Sequence, residues 1–425
     1  MARLTTHDSR LLGERRMWGL IRRNRGLRLI VTYQLLGALQ AGTFGLLFNL
    51  SLLALGRRED LIGLLAGINT LSLSFAALVA GQLVRRWGLR PMLTGGFLLA
   101  SLSLLGQALS TAEPLLIMFS VTTGFGYAMT QSLQMPLLAE YVTSEERSTA
   151  AALISAIATL STTVGTLVGG FLPGLLGRTG LELVARDRTA LIAAVSIGIF
   201  GVVPLLRLSG GASPIPQTYS AAIGTSQDDE LRSRVRRLVR QYAAATALIS
   251  LGAGAFLPFV NVYLAKLGSP PGAIGGFLSA VGATGAVLGL LAPTLARFIG
   301  RERLSVLMRM APIVPAIALI FFPSIPLVVV TYATRNIGAG MTWPIEASIL
   351  NDRVHPRARA GAFGLRTAAW NLAWAFSSVI SGQLIVRGGY QWPLVILVAS
   401  TLLGGIVLSL VLRPTPQERA ARAAA

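Results

Sequence analysis

Gly81-Gln82-Leu83-Val84-Arg85-Arg86-Trp87-Gly88-Leu89-Arg90 joins two long apolar runs, residues 61–84 and 92–111. Arginines and glycines set between such runs mark a tight basic turn. The same layout returns 212 residues later in Pro293 to Glu302, where Leu295, Arg297 and Gly300 match Leu83, Arg85 and Gly88. That one shift also aligns Asn49, Leu52, Leu55 and Gly56 with Asn261, Leu264, Leu267 and Gly268. It aligns Ile62 and Gly63 with Ile274 and Gly275, and Gly126, Met129 and Thr130 with Gly338, Met341 and Thr342. It further aligns Glu140, Val142, Arg147 and Ala150 with Asp352, Val354, Arg359 and Ala362, and Gly170 with Gly382. The chain is therefore read as an internal duplication.

Working outward, apolar runs of about 18 residues or more number twelve. They are 27–50, 61–84, 92–111, 114–139, 148–172, 189–207, 240–264, 273–296, 303–322, 325–350, 360–385 and 391–412. None alternates as a barrel strand would. The first follows an arginine-rich segment with no small-residue cleavage site, so it reads as a retained helix. The fold expected is an all-α membrane protein, twelve transmembrane helices in two pseudo-symmetric six-helix bundles. The divisions are 1–208, a cytoplasmic linker 209–238 whose second part is an amphipathic surface helix, and 239–425.

Composition agrees. In 425 residues, 53% are hydrophobic and 13% charged, with mean hydropathy +0.65; soluble domains carry roughly 25% charged residues. There is no cysteine, which removes thiol catalysis and thiolate metal sites, and only two histidines, His7 and His355. No nucleophile–base pair or phosphate loop stands out, so neither an enzyme nor a cofactor is expected. The net charge of +20 comes from 36 arginines and one lysine, Lys266. With the N-terminus inside, 28 of these cations fall on the inner side and 7 on the outer. That asymmetry places both termini in the cytoplasm of a cell-membrane protein. It also assigns the basic residues to lipid headgroups rather than nucleic acid.

Two parallel six-helix halves joined by a long inner loop are a layout of rocking transporters. The segment Gly81–Arg90 keeps both glycines, Leu83, Arg86 and Arg90 of the G-x-L-x-D-R-x-G-R-x signature, and over its whole length the chain resembles the major facilitator superfamily. Arg85 departs from the signature, where the family has Asp. The family's Asp helps hold the outward-open state by contacting a helix start, and a cation cannot do so. The run Gly165-Thr166-Leu167-Val168-Gly169-Gly170 resembles the glycine-rich helix 5 of the family's exporters without its proline. Small residues at that spacing also allow close helix packing anywhere in a membrane.

Charges inside spans are costly and often functional. Arg335 and Glu346 are eleven residues apart, close to three turns, and share a face of helix 10. Arg366 lies about two turns into helix 11. An ion pair between Glu346 and Arg366 is expected, with Arg335 facing a central site; the alternative is static pairing that holds helices 10 and 11. Trp370, four residues after Arg366, is expected to stack on it; Trp370 and Trp374 either wall a substrate site or pack. Trp343 is read as packing or cavity wall. The first half offers amides: Gln40, Gln131 and Gln134, the last being the repeat mate of Glu346. Each either lines the cavity or bonds helix to helix. For gating, Glu140 and Asp352 are expected to pair with arginines of the two basic turns, Arg86, Arg90, Arg297 and Arg301, with Gly81, Gly88 and Gly300 shaping them.

The function expected is secondary transport of small organic solutes by a monomer. The first reading is efflux of amphipathic compounds by proton antiport, with the proton step resting on Glu346. The alternative is facilitative uptake or exchange of an organic anion or sugar-like solute. A non-transporting sensor is disfavoured because no soluble signalling domain is visible.

Overall fold

A computed structural model describes residues 23–143, 145–177, 183–208, 229–355 and 358–413. Among the described residues there are helices and no strands. Twelve long helical segments follow in order: α1 (Arg25–Ala54), α2 (Glu59–Trp87), α3 (Leu89–Leu109), α4 (Glu113–Tyr141), α5 (Arg147–Gly177) and α6 (Leu183–Ile199, resuming as Val202–Leu206). Then come α7 (Asp229–Phe256, carried by a 3₁₀ turn into Val260–Lys266), α8 (Pro271–Ile299), α9 (Arg301–Met310, resuming as Ile313–Phe321), α10 (Ile325–Arg353), α11 (Arg359–Gly388) and α12 (Gln391–Val411). Ten of these are long and apolar enough to cross a membrane. The other two, α4 and α10, have 29 residues each and are long enough, but more polar. Phe75, Leu78, Leu290 and Phe321 are largely exposed, as suits side chains that face lipid.

The chain divides into two compact units. Unit 1 holds Met1–Ala54, Ser72–Pro216 and Pro271–Ser279; unit 2 holds Leu55–Leu71, Gln217–Pro270 and Ala280–Ala425. The division differs from the simple halves expected: the start of α2 belongs to unit 2 and the start of α8 to unit 1. Small residues explain both exchanges. A Cβ on Gly63 of α2 would meet the Ser378 carbonyl oxygen of α11, and one on Gly170 of α5 would meet Gly275 of α8. Only glycine lets these backbones touch. The expected linker 209–238 lies outside the described residues as far as 228. From Asp229 the helix runs unbroken into span 7, so its basic part is the first turns of α7 and not a separate surface helix.

The duplication reappears as geometry. Gly56 and Gly268 both have positive φ, +73° and +91°, and so do Gly88 and Gly300, +86° and +94°. These are repeat-matched turns that an L side chain would strain. Gly126 of α4 abuts Gly96 of α3, and Gly338 of α10 abuts Met308 of α9; both members of the second pair lie 212 residues after those of the first. The cores are apolar, built in unit 1 around Leu27, Ile30, Leu93, Leu133 and Leu137, and in unit 2 around Ala245, Ile249, Leu304, Ile349 and Leu408.

Unit 2 also buries a carboxylate at the start of α2, paired with a half-exposed lysine. Glu59 pairs with Lys266 and accepts a 2.9 Å hydrogen bond from the Tyr390 hydroxyl, whose ring stacks on Tyr263 at 4.0 Å. Burial, and then the Glu59 charge, push the Tyr390 hydroxyl upward, so it stays protonated as a donor.

Gly338 and Gly340 offer a paired test of the close packing. A Cβ at Gly338 would stand 2.4 Å from the Met308 carbonyl oxygen, whereas at Gly340 the nearest atom is 4.0 Å away. Gly338→Ala should cost about 1–3 kcal/mol through overpacking. Gly340→Ala should be neutral or stabilising, since alanine is the better helix former by about 1 kcal/mol. Thermal unfolding of the two variants in detergent decides; equal losses would show that α9 and α10 are not in register at Met308.

Candidate functional site

Four helices of unit 2 converge on one carboxylate. Glu346 of α10 accepts a forked pair of hydrogen bonds from Arg309 of α9, Nε to Oε1 at 2.8 Å and Nη2 to Oε2 at 3.0 Å. Arg366 of α11 donates to Oε2 at 3.1 Å, and the Tyr242 hydroxyl of α7 donates to the same oxygen at 3.3 Å. Three of the four bonds fall on Oε2 and one on Oε1. All the charges are deep: Arg309 is 4% exposed, Arg335 4%, Glu346 3% and Arg366 2%. Three arginines stand against one glutamate, a formal charge of +2.

Arg335 is the cation without a carboxylate contact. It lies on the Glu346 face of α10, and Arg309 and Glu346 are the charged groups whose fields reach it. Its Nε and Nη2 are buried and have no hydrogen-bond partner among the described residues. Its guanidinium carbon sits 5.7 Å from the centre of the Trp370 ring. Arg309 Nη1, Arg366 Nε and Thr342 Oγ1 are likewise buried and unpartnered among the described residues. A buried polar atom without a partner costs about 1–3 kcal/mol. Several around one cluster, nearly all N–H donors, make a site short of acceptor oxygens.

The sequence-predicted residues fall into three groups. Glu346, Arg366 and Arg335 come together with Trp370 and Trp374, and the expected Glu346–Arg366 pair is present. The expected stack of Arg366 on Trp370 is not. Arg366 reaches across to α10, where it lies over Trp343 at 3.9 Å, and over Tyr242 at 5.5 Å. The pull of Glu346 turns it away from its own helix, leaving Trp370 to Arg335. Trp370 meets Trp343 edge-on at 5.8 Å and Trp374 at 6.1 Å with a 31° tilt.

The first-half amides behave otherwise. Gln40 is buried, donates to the Val195 carbonyl at 2.9 Å and accepts from Ser101 at 3.1 Å. It ties α1 to α3 and α6 within unit 1, the helix-to-helix bond that was one of its two expected roles. Gln134 donates to Gln34 at 2.7 Å, linking α4 to α1, and Gln131 is exposed. Gly165 and Gly169 pack α5 on Leu39 and Thr43 of α1, and Gly170 receives α8. In the basic turns, Arg90 pairs with Glu140 at 2.9 Å and Arg301 with Asp352 at 3.0 Å, each within one unit. Arg85, Arg86 and Arg297 are exposed, and no ion pair joins Arg86 or Arg297 to Glu140 or Asp352. Gly81 has open space around it. In unit 2, Arg297, Gly300 and Arg301 line a cavity of about 620 Å³ with Pro293, Pro344 and Ser348.

Arg309 is the residue that sequence reasoning missed. It was counted among the cations of an inner turn, yet it lies eight residues past the start of α9, inside the run 303–322. The signal was there in the run's own limits. Tyr242, in the fourth turn of α7 and two residues past Arg240, gave no signal.

Comparison with known proteins bears on the whole chain. The family model described as Major Facilitator Superfamily matches residues 30–334 and, in a second match, 242–425. The chain belongs to the Major Facilitator Superfamily. It is similar to two uncharacterized MFS-type transporters of Bacillus subtilis (strain 168). YddS is 23% identical over 372 residues, covering 84% of this chain and 82% of that protein. YdeG is 23% identical over 367 residues, covering 83% and 82%. Among solved structures, a bacterial homolog of the human lysosomal transporter Spinster, inward-facing and occupied, matches with TM-score 0.71 at 15% identity, over 92% of this chain and 97% of that one. The D-xylose-proton symporter gives 0.69 at 15%, over 92% and 98%. The nucleoside transporter NupG gives 0.66 at 15%, over 91% and 100%. At such identities the likeness is one of fold. The protein is a multi-pass membrane transporter of small molecules and not an enzyme.

In this superfamily member the buried cluster separates two roles that stability measurements can tell apart. Glu346→Gln leaves three buried arginines with no counter-charge and should cost about 3–5 kcal/mol. Arg335→Gln removes a cation that has no carboxylate partner and should leave thermal stability unchanged or raised. The reverse order in detergent-purified protein would mean that Arg335, not Glu346, holds the cluster.

Proposed function

We propose that this transporter moves small organic anions by alternating access, facilitatively or in exchange, and that Arg335 binds the anionic group. The observation that carries the reading is the guanidinium of Arg335, buried in a cluster of formal charge +2 with two nitrogens lacking acceptors. A carboxylate or phosphate would supply the acceptors and lower the net charge together. Arg309 and Arg366 are already committed to Glu346.

Proton-coupled efflux of amphipathic compounds has less support. Its proton step needs Glu346 to release its partners, yet that carboxylate accepts four hydrogen bonds, three of them from cations. The glycines of α5 that resemble an exporter run are explained by helix packing. Residence in the cell membrane with both termini cytoplasmic is supported by the 28-to-7 distribution of basic residues. A monomer is proposed on the same footing as the organic-anion substrate.

The test is transport in proteoliposomes with labelled lactate, citrate, benzoate and glucose 6-phosphate, beside the cationic dye ethidium, with and without an imposed pH gradient. At least one anion should move without the gradient and lose about tenfold or more of its rate in Arg335→Gln, the loss expected when a charged bond of 1.5–3 kcal/mol is removed. Gradient-driven movement of ethidium that disappears in Glu346→Gln would replace this reading with proton-coupled efflux.

A further inference from the structure

The unpartnered nitrogens of Arg335 are Nε and Nη2, which together form one edge of the guanidinium. That edge takes the two oxygens of a carboxylate side-on. The cluster contains its own instance of this geometry, since Arg309 grips Glu346 through Nε and Nη2 at 2.8 and 3.0 Å. On Arg335 the same two nitrogens have no hydrogen-bond partner among the described residues.

What lies over Arg335 is an aromatic ring. Half of the chain's six tryptophans meet here, Trp343, Trp370 and Trp374, although tryptophan favours the membrane interface over the helix middle. The two cation–ring contacts differ in kind. Arg366 lies close on Trp343, at 3.9 Å, and is also bonded to Glu346, so that contact belongs to the structural network. Arg335 and Trp370 are 5.7 Å apart, near the outer limit for such an interaction, and neither is fixed by a further side-chain bond among the described residues. The backbone of Trp370 is held, its carbonyl accepting a 2.6 Å bond from Ser250, while its indole makes only ring contacts, with Arg335, Trp343 and Trp374. A loose cation–π contact is weaker than a forked, charge-assisted pair, and an entering carboxylate displaces it.

From this geometry we infer that the transported anion is a planar aromatic acid. Its carboxylate occupies the Nε/Nη2 edge of Arg335, and its ring stacks against the partly uncovered indoles of Trp370 and Trp374. The inference rests on the organic-anion reading above and narrows it. An aliphatic acid would satisfy Arg335 yet leave the displaced indole without a flat partner. A neutral aromatic would stack but leave the guanidinium uncompensated.

Calorimetry on the detergent-purified full chain tests this with three probes of one size: phenylacetate, cyclohexylacetate and phenylacetamide. Phenylacetate should bind about three- to tenfold more tightly than cyclohexylacetate, the increment of an aromatic pair, and more tightly still than phenylacetamide. Trp370→Ala should erase the advantage of the flat ring while leaving cyclohexylacetate affinity unchanged. Trp370→Phe should keep most of it. Equal affinities for phenylacetate and cyclohexylacetate would overturn the aromatic inference and leave the anion reading standing. Binding of phenylacetamide as tight as that of phenylacetate, or no anion binding in either the natural chain or a well-folded Trp370→Phe, would overturn both.

Discussion

A single carboxylate shared among four helices is the constraint on which unit 2 depends. Lipid is as apolar as a leucine side chain, so no hydrophobic force draws one membrane helix to another. Association rests on packing and on polar groups that have no other partner. Glu346 takes bonds from α7, α9 and α11 and so fixes the angular setting of all three about α10. Without it, Arg309 and Arg366 would be left as bare charges in a medium that penalises them by several kcal/mol each. Among its described residues unit 1 has no such knot, and neutral bonds join its helices: Gln40 to Val195, Thr43 to Gly165, Gln134 to Gln34.

The duplication makes this contrast informative. Moving back 212 residues from Tyr242, Arg309 and Arg366 gives Ile30, Phe97 and Ile154, all buried and apolar; from Arg335 it gives Thr123, which is bonded to Gln107. Both copies keep the same turns, the same glycine contacts and an Arg–acid pair beside the basic turn. The frame is therefore common, and the cluster of Arg309, Arg335, Glu346 and Arg366 belongs to one copy. A position that is packing in one repeat and charged in the other was not changed for the sake of the fold, since the fold is satisfied both ways.

Much of this frame was legible because its causes are local. Long apolar runs need a span, and Gly56, Gly88, Gly268 and Gly300 stand where a tight turn needs positive φ. The site was legible only in part, because it depends on which way long side chains reach. Arg335, Glu346 and Arg366 are visible as charges among apolar neighbours. Arg309 was hidden by the density of arginines at the membrane edge, where an intramembrane cation looks like one more topology signal. The stack of Arg366 on Trp370 follows from helical spacing and fails because a charge on the next helix outweighs a ring on its own. Gln40 looks like a lining group by depth alone; the carbonyl it bonds, 155 residues away, could not be read from the chain.

The three arginines divide the labour. A bound anion must leave again, so the cation that holds it cannot also be the one on which the packing rests. Arg309 and Arg366 are doubly employed, by Glu346 and, for Arg366, by the faces of Trp343 and Tyr242, so they fix the frame whether or not a solute is present. Arg335 is held only by its helix and a distant ring, so it can gain and lose a partner without disturbing the other two. On the reading proposed above, the locked carboxylate is what makes the free arginine usable. By cancelling one neighbouring charge and fixing the rest in place, Glu346 keeps the cluster positive enough to attract an anion and rigid enough to release it.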